Sequence, residues 1–209
     1  VALNTEQRVR RAAVRLFAEK GFHGTGIRDL AQAAGISSAS LYHYMGTKED
    51  LLVTIMRECL DRLLLGARRA VEGVADPRER LASLVALHVL AHARQPAETR
   101  VVDNEVPALS AAARRRVVAL RDEYEQLWTD VIGEGLRHRA FAVAEPAVTR
   151  LALLEMCSGV ARWYSPRGPL DLDRLASHYA CLALRMLGSA DDDCPAGVET
   201  ARKVVADLW

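Results

Sequence analysis

Apolar residues Val9, Ala12, Ala13, Leu16 and Phe17 recur at i, i+3, i+4, i+7 and i+8, which predicts a first amphipathic helix that ends near Lys20, where Gly21 stops it. Ile27, Leu30, Ala31 and Ala34 repeat the spacing over a shorter span closed by Gly35, a residue suited to the left-handed end of a helix. Ser37 is placed to cap a third short helix on which Leu41 and Tyr44 share a face. Thr47 with Asp50 approximates a capping box, and Leu51, Leu52, Ile55, Met56, Cys59, Leu60, Leu63 and Leu64 carry a fourth helix to about Val74. After Asp76 and Pro77, Leu81, Leu84, Val85, His88 and Val89 trace a fifth, ending before Gln95 and Pro96. A short sixth runs to Pro107, and Val117, Leu120, Tyr124, Leu127, Trp128 and Val131 mark a long seventh. Pro146 opens an eighth with Leu151, Leu154 and Val160 on its stripe, ended by Ser165–Gly168 and Pro169. Leu172, Leu175, Ala176, Tyr179, Leu182, Ala183 and Met186 form a ninth, stopped by Gly188. The acidic run Asp191 to Asp193 reads as an exposed connector to a last helix from about Ala196 to Leu208.

No segment reads as a strand ladder, so the expected fold class is all-α. A three-helix head at residues 1–47 is joined directly, through the fourth helix, to a larger helical body at 48–209. Half of the 209 residues are apolar and 26% are charged, enough to bury a core and unlike a disordered chain. Lys and Arg number 28 against 27 Asp and Glu, a net charge of +1 that excludes a histone-like mass of positive charge but leaves room for a local basic patch. Cys59, Cys157, Cys181 and Cys194 lie far apart with no C-x-x-C pair, so neither a zinc knuckle nor a redox motif is spelled out, and four reduced thiols are expected. The stretch VALNTEQRVRR has no signal-like apolar run and nothing approaches a membrane span, which predicts a cytoplasmic protein. The chain opens on Val1 and not Met, so a few N-terminal residues are expected to be missing from it.

Two short helices joined by a turn at Gly35 and packed on an amphipathic helix describe a helix-turn-helix, whose second helix lies in the DNA major groove. A helix from Ser38 to Tyr44 presents Ser38, Ala39 and Ser40 at its first turn, small and with hydroxyls for base edges or phosphates, while Tyr42 and His43 flank the backbone. Ser37 caps it. Lys48 sits in the first turn of the fourth helix, where the positive dipole end already favours a phosphate; Thr25 and Arg28 have the same opportunity at the second helix.

The segment GTGIRDLAQAAGISSASLYHYMGTKEDLL, preceded by RAAVRLFAEKGF, resembles the DNA-binding signature of the TetR family of bacterial transcriptional repressors over roughly residues 5 to 55. Ala39 stands where Gly is frequent, Met45 where an aromatic is usual, and Ser38 lacks a common basic side chain; these changes bear on the operator sequence and not on the fold. The resemblance implies a homodimer on a palindromic DNA operator, with the eighth and ninth helices pairing with their copies in a four-helix bundle. Leu151, Leu154, Leu172, Leu175, Tyr179, Leu182 and Met186 supply apolar area for that pairing.

On the fifth helix His88 and His92 share the face of Leu81, Leu84 and Val85, so two ionisable groups look inward. Arg100 and Asn104, with Tyr124, Trp128 and Trp163, are candidates to enclose an apolar cavity with a few polar anchors. The stretch from Glu123 to Gly188, with R-W-Y-S-P-R-G-P-L, is similar to a TetR-family subgroup tied to fatty-acid and steroid catabolism, whose members often sense acyl-CoA thioesters. The similarity implies that Arg162, Trp163 and Arg167 meet a nucleotide or phosphate at the mouth of a pocket. No nucleophile motif, H-E-x-x-H, P-loop or dinucleotide fingerprint is present, so no catalytic residue, metal site or required cofactor is expected. The reading is a ligand-responsive regulator, most simply a repressor released by a small apolar or amphipathic effector; activation, or a lipophilic drug-like effector, is the alternative.

Overall fold

The computed structural model describes residues 3–189 and 197–209, and among them every regular element is helical. The order is α1 (Thr5–Gly24), α2 (Ile27–Ala34), α3 (Ser38–Met45), α4 (Lys48–Val71), α5 (Pro77–Arg94), α6 (Pro96–Asn104), a 3-10 turn at Val106–Ala108, α7 (Ala111–Arg137), α8 (Pro146–Ser158), α9 (Val160–Trp163), α10 (Leu172–Met186) and α11 (Gly197–Leu208). The chain divides into two compact units that are discontinuous in sequence. One holds the residues up to Asp61 with Ala97–Arg121, the other Arg62–Pro96 with the residues from Asp122 onward, where a split after Thr47 was expected.

In the first unit α1 packs on α2 and α3. Val9, Ala12, Ala13, Leu16 and Phe17 meet Leu30, Ala31, Ala34 and Leu41 in a core with Leu52, Ile55 and Met56 of α4. Asn4 and Gln7 close a reciprocal capping box at the start of α1. Gly21, at φ 74° and ψ 166°, breaks α1 at the expected place and lets Phe22 turn back into the core. Gly35 ends α2 in the left-handed conformation, its N–H donating to Ala31 and Gln32 carbonyls. The third helix differs from the expected face. Leu41 and Met45 are its buried pair, while Tyr44 is 47% exposed. A step of four residues keeps a side chain within about 40° on a helix and a step of three carries it about 60° the other way, so the residue beside Leu41 on the core side is Met45.

The segment 97–121 is tied into this unit by polar contacts as well as by Val101, Val102, Leu109, Ala113 and Val117. Arg10 forms ion pairs with Glu58 and with buried Glu98. The Phe22 N–H donates to Glu105 at 3.1 Å and the Ser110 N–H to Glu49 at 2.6 Å.

The second unit is built on α5, in which every residue from Leu81 to Ala93 is buried. A single inward stripe was expected; instead α8, α9, α10 and α11 all pack on this helix, and a helix that is nearly apolar all round finds cover on every side. The last helix lies against α5 and α10 of its own chain, and Ser83 donates to the Gly197 carbonyl at 3.1 Å. Leu153, Cys157, Val160 and Ala161 are the buried residues of α8 and α9, whereas Leu151 is 50% exposed and Leu154 half-buried, so the predicted eighth stripe is rotated and is interrupted at Gly159. On α10 Leu175 and Tyr179 are buried within the chain, with Leu172 and Leu182 half-buried and Met186 exposed. Cys59 and Cys157 are buried thiols outside any disulfide, but Cys181 is disulfide-bonded, which corrects the expectation of reduced thiols throughout. The acidic connector Asp191 to Asp193, Cys194 and the predicted helix start at Ala196 lie outside the described residues. No described helix is long and apolar enough to cross a membrane, and the described residues hold no cluster of three or more metal-ligating side chains.

Candidate functional site

The first unit offers one face rich in small hydroxyls and rings. Ser37 is the N-cap of α3; its hydroxyl accepts the Ser40 N–H at 3.1 Å and lies 2.9 Å from the Ser40 hydroxyl. That cap fixes where the helix begins and therefore which residues its first turn presents. Ala39 and Ser40 are exposed and Ser38 half-buried, and one turn on Tyr42 (54%) and His43 stand clear of the core that Leu41 and Met45 anchor. Tyr44 joins the exposed set, a residue that helical spacing assigns inward. Arg28 is exposed in the first turn of α2.

Two candidates take other roles. Thr25 is 1% exposed, its hydroxyl donates to the Gly21 carbonyl at 2.8 Å and its amide to the Phe22 carbonyl, so the side chain finishes α1 and does not reach outward to a phosphate. Lys48 donates from Nζ to the Phe22 and Thr25 carbonyls, each at 2.8 Å, with the ammonium 4.2 Å from the centre of the Phe22 ring. The cation neutralises the carbonyl end of α1 and pins the start of α4 against it, which draws it away from the phosphate contact expected of it. Beside it the Thr47 hydroxyl and amide both donate to the Asp50 carboxylate, and these bonds hold Asp50 below the usual carboxylate range.

The second unit buries a polar cluster. His88 and His92, 4% and 2% exposed, stack with ring centres 3.9 Å apart and planes 11° from parallel. His88 hydrogen-bonds the Tyr124 hydroxyl through Nδ1 at 2.9 Å and the Ser158 hydroxyl through Nε2 at 3.0 Å. His92 donates from Nδ1 to the His88 carbonyl at 2.9 Å. Burial first, and the neighbouring His92 second, push the His88 pKa well below its ordinary value. Trp128, fully buried, meets His88 edge to face with centroids 5.8 Å apart, and its indole N–H finds no hydrogen-bond partner among the described residues. A buried donor left without an acceptor costs about 1–3 kcal/mol, so such groups are rare unless something else supplies the acceptor.

Four of the predicted effector residues, His88, His92, Tyr124 and Trp128, are thus brought together. Ser158 completes the set and carries no signal in the sequence, since a serine near the end of a helix is unremarked until its neighbour is known. Trp163 is 50% exposed and Arg162 exposed, both on α9, so neither lines an enclosed interior; Arg167 is exposed in the turn that follows. Arg100 and Asn104 belong to the first unit, half-buried and exposed respectively.

Residues 9–55 match the model of bacterial regulatory proteins of the tetR family, and residues 74–187 match the tetracyclin repressor-like C-terminal domain. The chain is 34% identical over 179 residues to the HTH-type transcriptional repressor KstR2 of Rhodococcus jostii, covering 85% of this chain and 88% of that protein. It is 30% identical over 174 residues to KstR2 of Mycobacterium tuberculosis, covering 82% and 87%. A solved structure described as the ketosteroid transcriptional regulator KstR2 of Mycobacterium tuberculosis superposes with a TM-score of 0.83 at 26% identity, covering 91% of this chain and 98% of that one.

Proposed function

The chain belongs to the TetR family of transcriptional regulators, and from that premise we propose that it is a ligand-responsive repressor, active as a homodimer on a palindromic operator and released by an apolar or amphipathic effector, in the first instance an acyl-CoA thioester. The observation that carries the DNA half is the build of α3. Ser37 caps it, Leu41 and Met45 hold it down, and Ser40, Tyr42, His43 and Tyr44 are left outward at the spacing of a major-groove reader. The repressing sign is supported by relatives named as repressors.

Dimerisation is supported by apolar side chains that this chain alone leaves uncovered, Val148 and Leu151 on α8 and Met186 on α10. Leu175 and Tyr179 take no part in that surface. The effector half is supported by the cluster around His88, which sets polar groups of His88, Tyr124 and Ser158 among the buried rings of His92 and Trp128. The name of the KstR2 structure, a ketosteroid regulator, makes steroid-derived acyl thioesters the first members of the panel to try.

The effector is free to shift the DNA-reading heads only by binding one arrangement of the dimer better than another. Native mass spectrometry of the protein with acyl-CoA thioesters, followed by operator release with any hit, tests the reading. About one thioester per subunit with loss of DNA affinity supports it. An intact dimer that binds DNA and no thioester removes the acyl-CoA assignment.

A further inference from the structure

α7 opens with three alanines and then Arg114, Arg115 and Arg116, all exposed, with no acidic residue in its first turn. The amino end of a helix carries partial positive charge and favours carboxylates, so a first turn without them, followed at once by cations, leaves this end of α7 strongly positive. Ala113 and Val117, at 3% and 0% exposure, bury the opposite side of the same turns, so the arginines are held outward and are not free to rotate into the core. Core packing does not call for three exposed cations in a row here, and a charge run beyond what the fold uses marks a candidate functional surface.

Their position within the first unit says which surface. The Ser110 N–H, just before α7, donates to Glu49 at 2.6 Å, and Arg116 acts electrostatically on Asp50. Both acids lie in the first turn of α4, which begins three residues after α3 ends at Met45. The arginine run is therefore anchored beside the start of α4, next to the helix that reads DNA. The nearby carboxylates are already engaged, Glu49 by the Ser110 amide and Asp50 by the Thr47 amide and hydroxyl. Arg114 donates to the Pro107 carbonyl at 2.8 Å, which steadies the turn, and Arg115 has no hydrogen-bond or ion-pair partner among the described residues.

We propose that Arg114, Arg115 and Arg116 form a second, sequence-independent DNA contact that grips the phosphate backbone bordering the base-reading helix. The inference rests on the reading of the chain as a DNA-binding regulator and adds to it a surface outside the helix-turn-helix. A duplex presents one negative charge per about 1.7 Å of its axis, and arginine forks match phosphate oxygens in pairs, so a short run of arginines suits the backbone without reading bases.

The test is the salt dependence of binding to a random-sequence duplex of about 40 base pairs, long enough for two half-sites one helical turn apart with flanks. The parent is compared with the double variants Arg115→Gln/Arg116→Gln and Arg115→Lys/Arg116→Lys between about 50 and 200 mM salt. Expected for the Gln pair is weaker binding and a log–log slope shallower by about 0.9 for each phosphate no longer neutralised, with the Lys pair close to the parent and all three melting alike. A Gln pair that binds with the parent's affinity and slope overturns the proposal while leaving the DNA-binding reading intact. A parent that binds an operator duplex but no random-sequence duplex also overturns the proposal, and one that binds neither overturns both readings.

Discussion

The imidazole of His88 lies flat against that of His92, 3.9 Å centre to centre, and both of its nitrogens are spoken for by hydroxyls. Burial first, and the stacked neighbour second, favour the neutral form of His88. Its folded pKa lies well below the ordinary 6.5, so below that pH the unfolded chain binds a proton that the folded one refuses. Stability is therefore full above about pH 6.5 and falls on acidification through it, by at most about 1.4 kcal/mol per pH unit from this group. Urea unfolding midpoints across that range are expected to drop for the parent and to drop less for His88→Gln; equal slopes would refute the assignment.

Lys48 serves the fold as a structural cation at the junction of α1 and α4. Lys48→Met keeps the stem over Phe22 and removes the two charge-assisted bonds to carbonyls, at a cost of about 1–3 kcal/mol. Thermal melting of the variant is expected to fall accordingly, with a fall in operator affinity that shrinks when binding is measured well below the melting temperature.

Tyr42 and Tyr44 behave in the opposite way. Each is about half exposed, so Tyr42→Ala and Tyr44→Ala should leave stability within about 0.5 kcal/mol of the parent. Removing one hydrogen bond to a phosphate or a base is expected to weaken operator binding about tenfold, read by fluorescence anisotropy. An unchanged affinity for both would remove these rings from the DNA-reading face.

Arg10→Ala strips the guanidinium from a Glu98 side chain that is only 4% exposed. The expected loss is about 3 kcal/mol in equilibrium unfolding, because a buried carboxylate loses the guanidinium paired with it. Adding Glu98→Leu to that variant should restore most of it, since the pair together costs nearly what it gains; no recovery would place the energy of this interaction elsewhere.

Helix positions, caps and breaks are legible from the chain because they are set by local chemistry. Gly21 and Gly35 end their helices, Thr47 and Asp50 close a box, Pro77 and Pro146 start theirs, and each of these acts within four residues. The family signature in residues 9–55 is of the same kind, a set of short-range spacings.

What required the tertiary structure is whatever depends on a partner distant in sequence. Spacing alone puts Tyr44 inward and leaves Met45 undecided, and only packing on α1 and α2 chooses the core side of α3. Sequence offers Lys48 and Thr25 to phosphates, because nothing local reveals that the carbonyls of Phe22 and Thr25 and the carbonyl of Gly21 claim them first. It sets His88 facing inward, but Ser158, 70 residues away, decides how that ring is held. Local sequence fixes which backbone conformations are cheap; which side chains are then neutralised, buried or left free is settled by whatever groups the fold brings within hydrogen-bonding reach, and that no short-range pattern encodes.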